Sequence, residues 1–88
     1  MKNEISKLRF RFGELFGTNH QSNSYIQIGD YPDEIVLSAN KEGLLLLIEQ
    51  LLMICDDDSQ GVHYHLDEQG IVDKCDKPMV ISVVSAPW

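Results

Sequence analysis

The chain has only two cysteines, Cys55 and Cys75, in 88 residues. That is too few for a disulfide scaffold. No Cys-x-x-Cys pair, Gly-rich phosphate loop or nucleophile elbow occurs. Thiol-redox, nucleotide-dependent and serine-hydrolase chemistries therefore have no motif to rest on, and no catalytic residue or cofactor is expected. Basic residues are scarce: seven Lys and Arg stand against fourteen Asp and Glu, for a formal net charge of -7. Such a chain lacks the basic footprint of a nucleic-acid binder and is disfavoured at anionic membranes. Long apolar runs are also missing. The leucine-rich stretch is broken by Glu49-Gln50 and is too short to span a bilayer. No apolar run follows the first charges, Met-Lys-Asn-Glu-Ile-Ser-Lys, so no signal peptide is expected and a reducing cytoplasm is the expected compartment.

What is present suits a small folded domain. Hydrophobic residues make up 43% and charged residues 24%, which is ordinary for globular proteins. A chain of this length predicts a single domain over residues 1–88. Its charge is uneven. Lys2, Lys7, Arg9 and Arg11 fall early; from Phe12 onward three basic residues face thirteen acidic ones, a balance of −10. An acidic body suits a basic protein partner, and equally keeps a small protein soluble.

Asn40 to Asp56 is the clearest element, a long helix with Asn40 as N-cap. Gly43 should weaken its first turn. Leu44, Leu47, Ile48, Leu51, Ile54 and Cys55 fall in one arc, predicted to seal a sheet face, with Cys55 a small core residue. Leu46 and Met53 fall among the polar residues, to be covered by loops or used by a partner. Three carboxylates, Asp56, Asp57 and Asp58, end the helix against its own dipole. They do not have calcium-loop spacing, and an acidic turn or contact patch accounts for them better.

Short strands are expected around this helix. Leu8, Phe10 and Phe12 alternate with Lys7, Arg9 and Arg11, which predicts a half-buried strand over Ile5–Phe12. Gly13 to Asn23 is predicted as loop, with Leu15 and Phe16 tucked onto the core and His20 exposed. Ser24–Gly29 and Glu34–Ser38 predict an antiparallel hairpin, turned by Gly29-Asp-Tyr-Pro-Asp33 with Tyr31 at its tip. Val62–Leu66 is a strand with Val62, Tyr64 and Leu66 on one face and His63 and His65 on the other. Asp67 to Gly70 is a turn, and Ile71–Lys77 an irregular link or short edge strand. Met79–Val84 is strongly β-branched and predicts a buried strand. Trp88, the only tryptophan, either packs back or protrudes as an anchor. The expected fold is α+β: an antiparallel sheet of four to five strands in the order β–β–β–α–β–β, with one long helix on one face.

The helix begun by Ala39-Asn-Lys-Glu-Gly43, the His-Tyr-His-Leu-Asp strand ending at Asp67 and the closing strand at Met79–Val84 together resemble small immunity proteins. These belong to bacterial polymorphic-toxin and contact-dependent inhibition systems, and the resemblance covers roughly residues 35–84. It implies a non-enzymatic protein that binds a cognate toxin, often a nuclease, and blocks it. The toxin-contacting residues do not transfer, because such interfaces vary from pair to pair. On charge alone the contact set is Asp56, Asp57, Asp58, Asp67 and Glu68, with Tyr31 or Trp88 as aromatic anchors. Two other classes compete. His63 and His65 are a candidate metal or small-ligand pair that lacks a defined third ligand. Alternatively, a homodimeric module would bury the open sheet face or the Leu46/Met53 strip.

Overall fold

The computed structural model describes residues 2–16, 23–57 and 61–84. Its first element corrects the expected order. Lys2–Phe16 is a helix, α1, not a strand followed by a loop. The alternation at Leu8, Phe10 and Phe12 coexists with a helical spacing at Ile5, Leu8, Phe12, Leu15 and Phe16. The helical period continues through Gly13, and it is the one the fold uses. Glu4 stands in the first turn, where a carboxylate suits the helix dipole. Arg11 reaches Glu14 at 3.6 Å along the same helix. Phe12 is buried and its ring lies 4.7 Å from that of Phe16. Leu8, Phe10 and Leu15 stay exposed.

The hairpin follows as expected. β1 (Ile26–Asp30) pairs antiparallel with β2 (Ile35–Ala39), placing Ile26 opposite Ala39 and Ile28 opposite Leu37. The chain then enters α2 (Lys41–Cys55) through Asn40. Its side-chain oxygen accepts from Gly43 N at 2.8 Å and from Tyr25 N at 2.9 Å. Its amide nitrogen donates to the Asn23 carbonyl at 2.7 Å, and its backbone N–H to Tyr25 O at 3.0 Å. One capping residue thus fastens the start of the helix to the start of β1.

Three further strands complete the order: β3 (His63–Leu66), β4 (Lys74–Cys75) and β5 (Met79–Ser82). They do not extend a single antiparallel sheet. One sheet has the order β2-β1-β4, with β4 parallel to β1; β3 and β5 form a separate antiparallel pair. The two-residue β4 is held by side chains at both ends. Asp73 accepts from Ile26 N at 2.9 Å and donates its own N–H to Ile26 O at 2.8 Å. Asp76 accepts from Asp30 N at 3.2 Å and donates its N–H to Ile28 O at 2.9 Å. These carboxylates continue the ladder along β1 where β4 is too short to do so. The fold class is α+β: among the described residues there are two helices and sheets of three and two strands, in place of one larger sheet and one helix.

Ile26, Ile28, Leu66 and Val72 form the core, with Leu37, Leu47, Tyr64, Met79 and Ile81 packed against them. β5 is not a buried strand, since Val80 points outward and is exposed. The core arc of α2 also needs correction. Leu46 is buried at 4% exposure, whereas Leu44, Ile48 and Cys55 are exposed. The cause is α1, which lies on the flank of α2 where Glu49, Gln50 and Met53 share a groove with Arg9 and Gly13. Leu46 falls on that flank and is covered with it, while Met53 stays exposed at its edge. Tucked positions were expected for Leu15 and Phe16; Leu15 is exposed, and Phe16 is partly covered through Phe12.

Candidate functional site

The expected contact residues separate into different places. Asp56 closes α2 as its C-cap, and its carboxylate is committed to α1. It accepts from Ser6 Oγ at 2.6 Å and from Arg9 Nη1 at 3.1 Å, with the side chain 16% exposed. A carboxylate here opposes the dipole of its own helix, and the guanidinium of Arg9 offsets that. Asp56 is therefore part of the joint between helices, and Arg9 is a partner in that joint instead of one member of a basic strand face. Asp57 is exposed beside it, its N–H donating to Ile54 O at 3.3 Å. Asp58, Trp88 and His20 lie outside the described residues.

The others lie elsewhere: Asp67 and Glu68 by the β4 edge of the three-stranded sheet, and Tyr31 in the turn between β1 and β2. Tyr31 sits at the hairpin tip, with reciprocal backbone bonds to Glu34 at 2.9 and 3.3 Å. Its ring lies back over Gly29: a methyl group there would be 2.7 Å from the ring carbon Cε2. The absence of a side chain at Gly29 allows this, and the ring still exposes 53% of its surface. Next to Tyr31, Asp30 meets Asp76 across the sheet. Glu68 accepts from Cys75 N at 2.9 Å and so lies against β4. Asp67 starts the turn, its side chain accepting from Gln69 N at 3.0 Å and its carbonyl from Gly70 N at 3.1 Å. Burial pushes the Tyr64 hydroxyl above its ordinary value of 10.0, and the carboxylate of Asp67 adds to the rise. Tyr64 therefore stays neutral beneath this edge.

Asp30, Asp73 and Asp76 join the edge although no single motif announces them. Their only signal is the Asp73-x-x-Asp76 bracket around Lys74-Cys75. The outward face of the β3–β5 pair carries His63 and His65, both exposed, with ring centroids 5.0 Å apart at 79°. His63 Nδ1 lies 3.1 Å from Gly61 O. Among the described residues, no group of three or more His, Cys, Asp or Glu is placed to hold a metal ion. Cys55 and Cys75 are free thiols. No helix among the described residues is long and apolar enough to cross a membrane.

No curated protein and no solved structure matches the chain. The model of the family described as Immunity protein 32 matches residues 34–83. That segment takes in β2, α2, β3, β4 and β5 and leaves out α1 and β1. Because the match spans more than half of the chain, this protein belongs to the Immunity protein 32 family.

Proposed function

We propose that this protein neutralises a cognate bacterial toxin by binding it, with no reaction of its own. Membership of an immunity family is the observation that carries this reading. The chemistry of the β4 edge supports its details. Glu68, Asp73 and Asp76 flank β4 beside Lys74 and Lys77, and Asp76 meets Asp30 at the end of β1, where Asp33 and Glu34 follow in the hairpin turn. An excess of carboxylates suits a toxin whose own surface is basic, as a nuclease needs to be to hold nucleic acid. Tyr31 supplies a large exposed aromatic beside those charges, the residue type that anchors interfaces. Asp67, Glu68 and Tyr31 form the primary contact set. The end of α2 at Asp56–Asp58 contributes second, because Asp56 is already engaged by α1.

Binding kinetics against the toxin domain encoded beside the gene test this reading. Asp33→Asn/Glu34→Gln/Glu68→Gln should slow association by about tenfold at low salt and flatten its salt dependence. Tyr31→Ala should mainly speed dissociation. Failure of the wild type to bind or protect against that toxin would refute the function. Normal kinetics in the triple variant would remove the acidic edge while leaving the function standing.

A further inference from the structure

Natural proteins blunt the edges of their sheets, because unpaired N–H and C=O groups on an edge strand recruit other chains. Two edges here are blunted. β4 is only Lys74–Cys75, and the Glu68 carboxylate takes the Cys75 N–H. β5 is entered through Pro78, which has no N–H. β2 has no such device. Ile35-Val-Leu-Ser-Ala39 carries no charge, proline or bulge and runs in unbroken register along β1. Its outer side follows from the ladder. Tyr31 and Glu34 exchange both backbone bonds, and Asn40 N donates to Tyr25 O. Antiparallel pairs alternate. Val36 and Ser38 therefore bond to β1, whereas Ile35, Leu37 and Ala39 turn their N–H and C=O groups outward. Among the described residues, none of these outward groups has a partner. α2 starts over β1, where Gly43 lies against Tyr25 and Ile26, on the side of β2 away from this edge.

We propose that this edge pairs with the same edge of a second copy. β2 runs antiparallel to β2 of the partner, and two three-stranded sheets become one. The placement of the outward groups selects a second copy as the occupant. Outward residues spaced evenly about a central one are self-complementary across a two-fold axis. With Leu37 opposite the partner subunit's Leu37, Ile35 falls opposite the partner subunit's Ala39, and every outward donor meets an acceptor. Sliding the pairing either way leaves Ile35 or Ala39 unpaired. Side chains fit the same register. Ile35, 49% exposed in one chain, lies beside the small Ala39, and Val36 lies beside Ser38. The ends match in charge. Asp33 precedes β2 by two residues and Lys41 follows it by two, so each Asp33 comes level with the partner subunit's Lys41. Both are exposed, and neither has a partner of its own among the described residues. Glu34 comes level with the partner subunit's Asn40, so no like charges face each other. The inference goes beyond toxin binding and is tested on the purified chain alone.

Sedimentation equilibrium of the full chain, from low to high micromolar concentration, measures the association, and a dimer is expected. Hydrogen exchange followed by NMR over the same range locates it. The amides of Ile35, Leu37 and Ala39 should exchange freely in dilute protein and slow by at least about tenfold as the dimer forms. Those of Val36 and Ser38 should be protected throughout. Ile35→Pro removes an outward donor at the first residue of an edge strand, where proline is tolerated. It should weaken the dimer by at least about tenfold while circular dichroism shows the dilute protein still folded. Lys41→Glu sets a carboxylate against the partner subunit's Asp33 and should also weaken the dimer; Asp33→Lys/Lys41→Glu should restore it. Asp33 is also among the carboxylates offered to the toxin, but Lys41 is not, so Lys41→Glu reads the dimer alone. A monomer at every concentration, a dimer in which the three outward amides stay unprotected, or one indifferent to Ile35→Pro and Lys41→Glu alike would overturn the proposal. So would protection of those amides only when the toxin domain is added, which would make the edge a toxin contact.

Discussion

Gly43→Ala tests how α2 is seated. Considered within the helix alone, the change should stabilise the protein by up to about 1 kcal/mol, since alanine is the better helix former. The surroundings reverse that sign. A methyl group at Gly43 would press on the Tyr25 carbonyl oxygen, lie 2.9 Å from Ile26 Cγ1 and 3.1 Å from Asn40 Oδ1. Neither main contact can give way cheaply. The Tyr25 carbonyl is backbone and already accepts from Asn40 N, and Ile26 is fully buried in the core. The helix must therefore move away from β1, which stretches the bonds from Gly43 and Tyr25 to the Asn40 side chain. Overpacking costs about 1–3 kcal/mol and a lost N-cap about 0.5–2 kcal/mol. After the propensity gain, a net loss of about 2 kcal/mol is expected. In a domain of this size that lowers the melting temperature by about 8–16 °C. Thermal denaturation followed by circular dichroism at fixed protein concentration measures it. An unchanged or raised melting temperature would refute the close approach of α2 to β1.

Other parts of the fold make similar commitments. Asp56→Ala should cost about 1–2 kcal/mol through the lost Ser6 and Arg9 bonds and raise hydrogen exchange across α1; Arg9→Ala alone, an exposed pair, should stay within about 1 kcal/mol. Asp73→Ala strands the N–H of buried Ile26 and should cost about 1–3 kcal/mol in urea denaturation, while Asp73→Asn, which keeps an acceptor oxygen, should recover most of it. Tyr64 titrates above 10.0 when folded, so its contribution is complete at lower pH and is lost as pH climbs through the raised value. Denaturation from about pH 8 to about pH 11 should therefore show a steeper alkaline loss in wild type than in Tyr64→Phe. A chain beginning at residue 34 should fail to unfold cooperatively, whereas one beginning at Asn23 should keep a cooperative transition at reduced stability.

Local chemistry made some of this fold legible. Asn40 as N-cap, the turn around Pro32 and the outward placement of His63 and His65 all follow from neighbours in sequence. The failures are non-local. Residues 5–16 carry both a two-residue and a helical period, and only the presence of α2 as a packing partner decides between them. On α2 the leucine run is so continuous that its periodicity hardly selects a face. Gly43 against β1 and Asp56 against α1 set the rotation instead, and the pattern could not report either contact. β4 is two residues long and pairs in parallel with a strand far upstream, which leaves no local signature beyond its flanking aspartates. The role of Asp56 in joining two helices was hidden for the same reason: its partners, Ser6 and Arg9, lie 50 and 47 residues away.

The extent of the family match and the extent of the folding unit differ, and the sheet shows why. The matched segment begins at residue 34, after β1 has ended. Yet β1 is the central strand: β2 and β4 touch it on either side and do not pair with each other. Ile26 and Ile28 supply two of the four residues of the core cluster. Asp73 and Asp76, inside the matched segment, spend their carboxylates on amides of β1. Asn40, also inside it, caps α2 while holding Tyr25 just outside. Residues 34–83 are thus built to receive a strand from upstream, and their polar groups lose partners without one. α1 stands differently: it contributes Phe12 and the Asp56 joint, but no strand and no member of the core cluster. The structural demand on an upstream segment is therefore strict for β1 and weaker for α1. Substitution is therefore tolerated best on the exposed face of α1 and worst at Tyr25, Ile26 and Asp30, whose backbone amides Asn40, Asp73 and Asp76 hold.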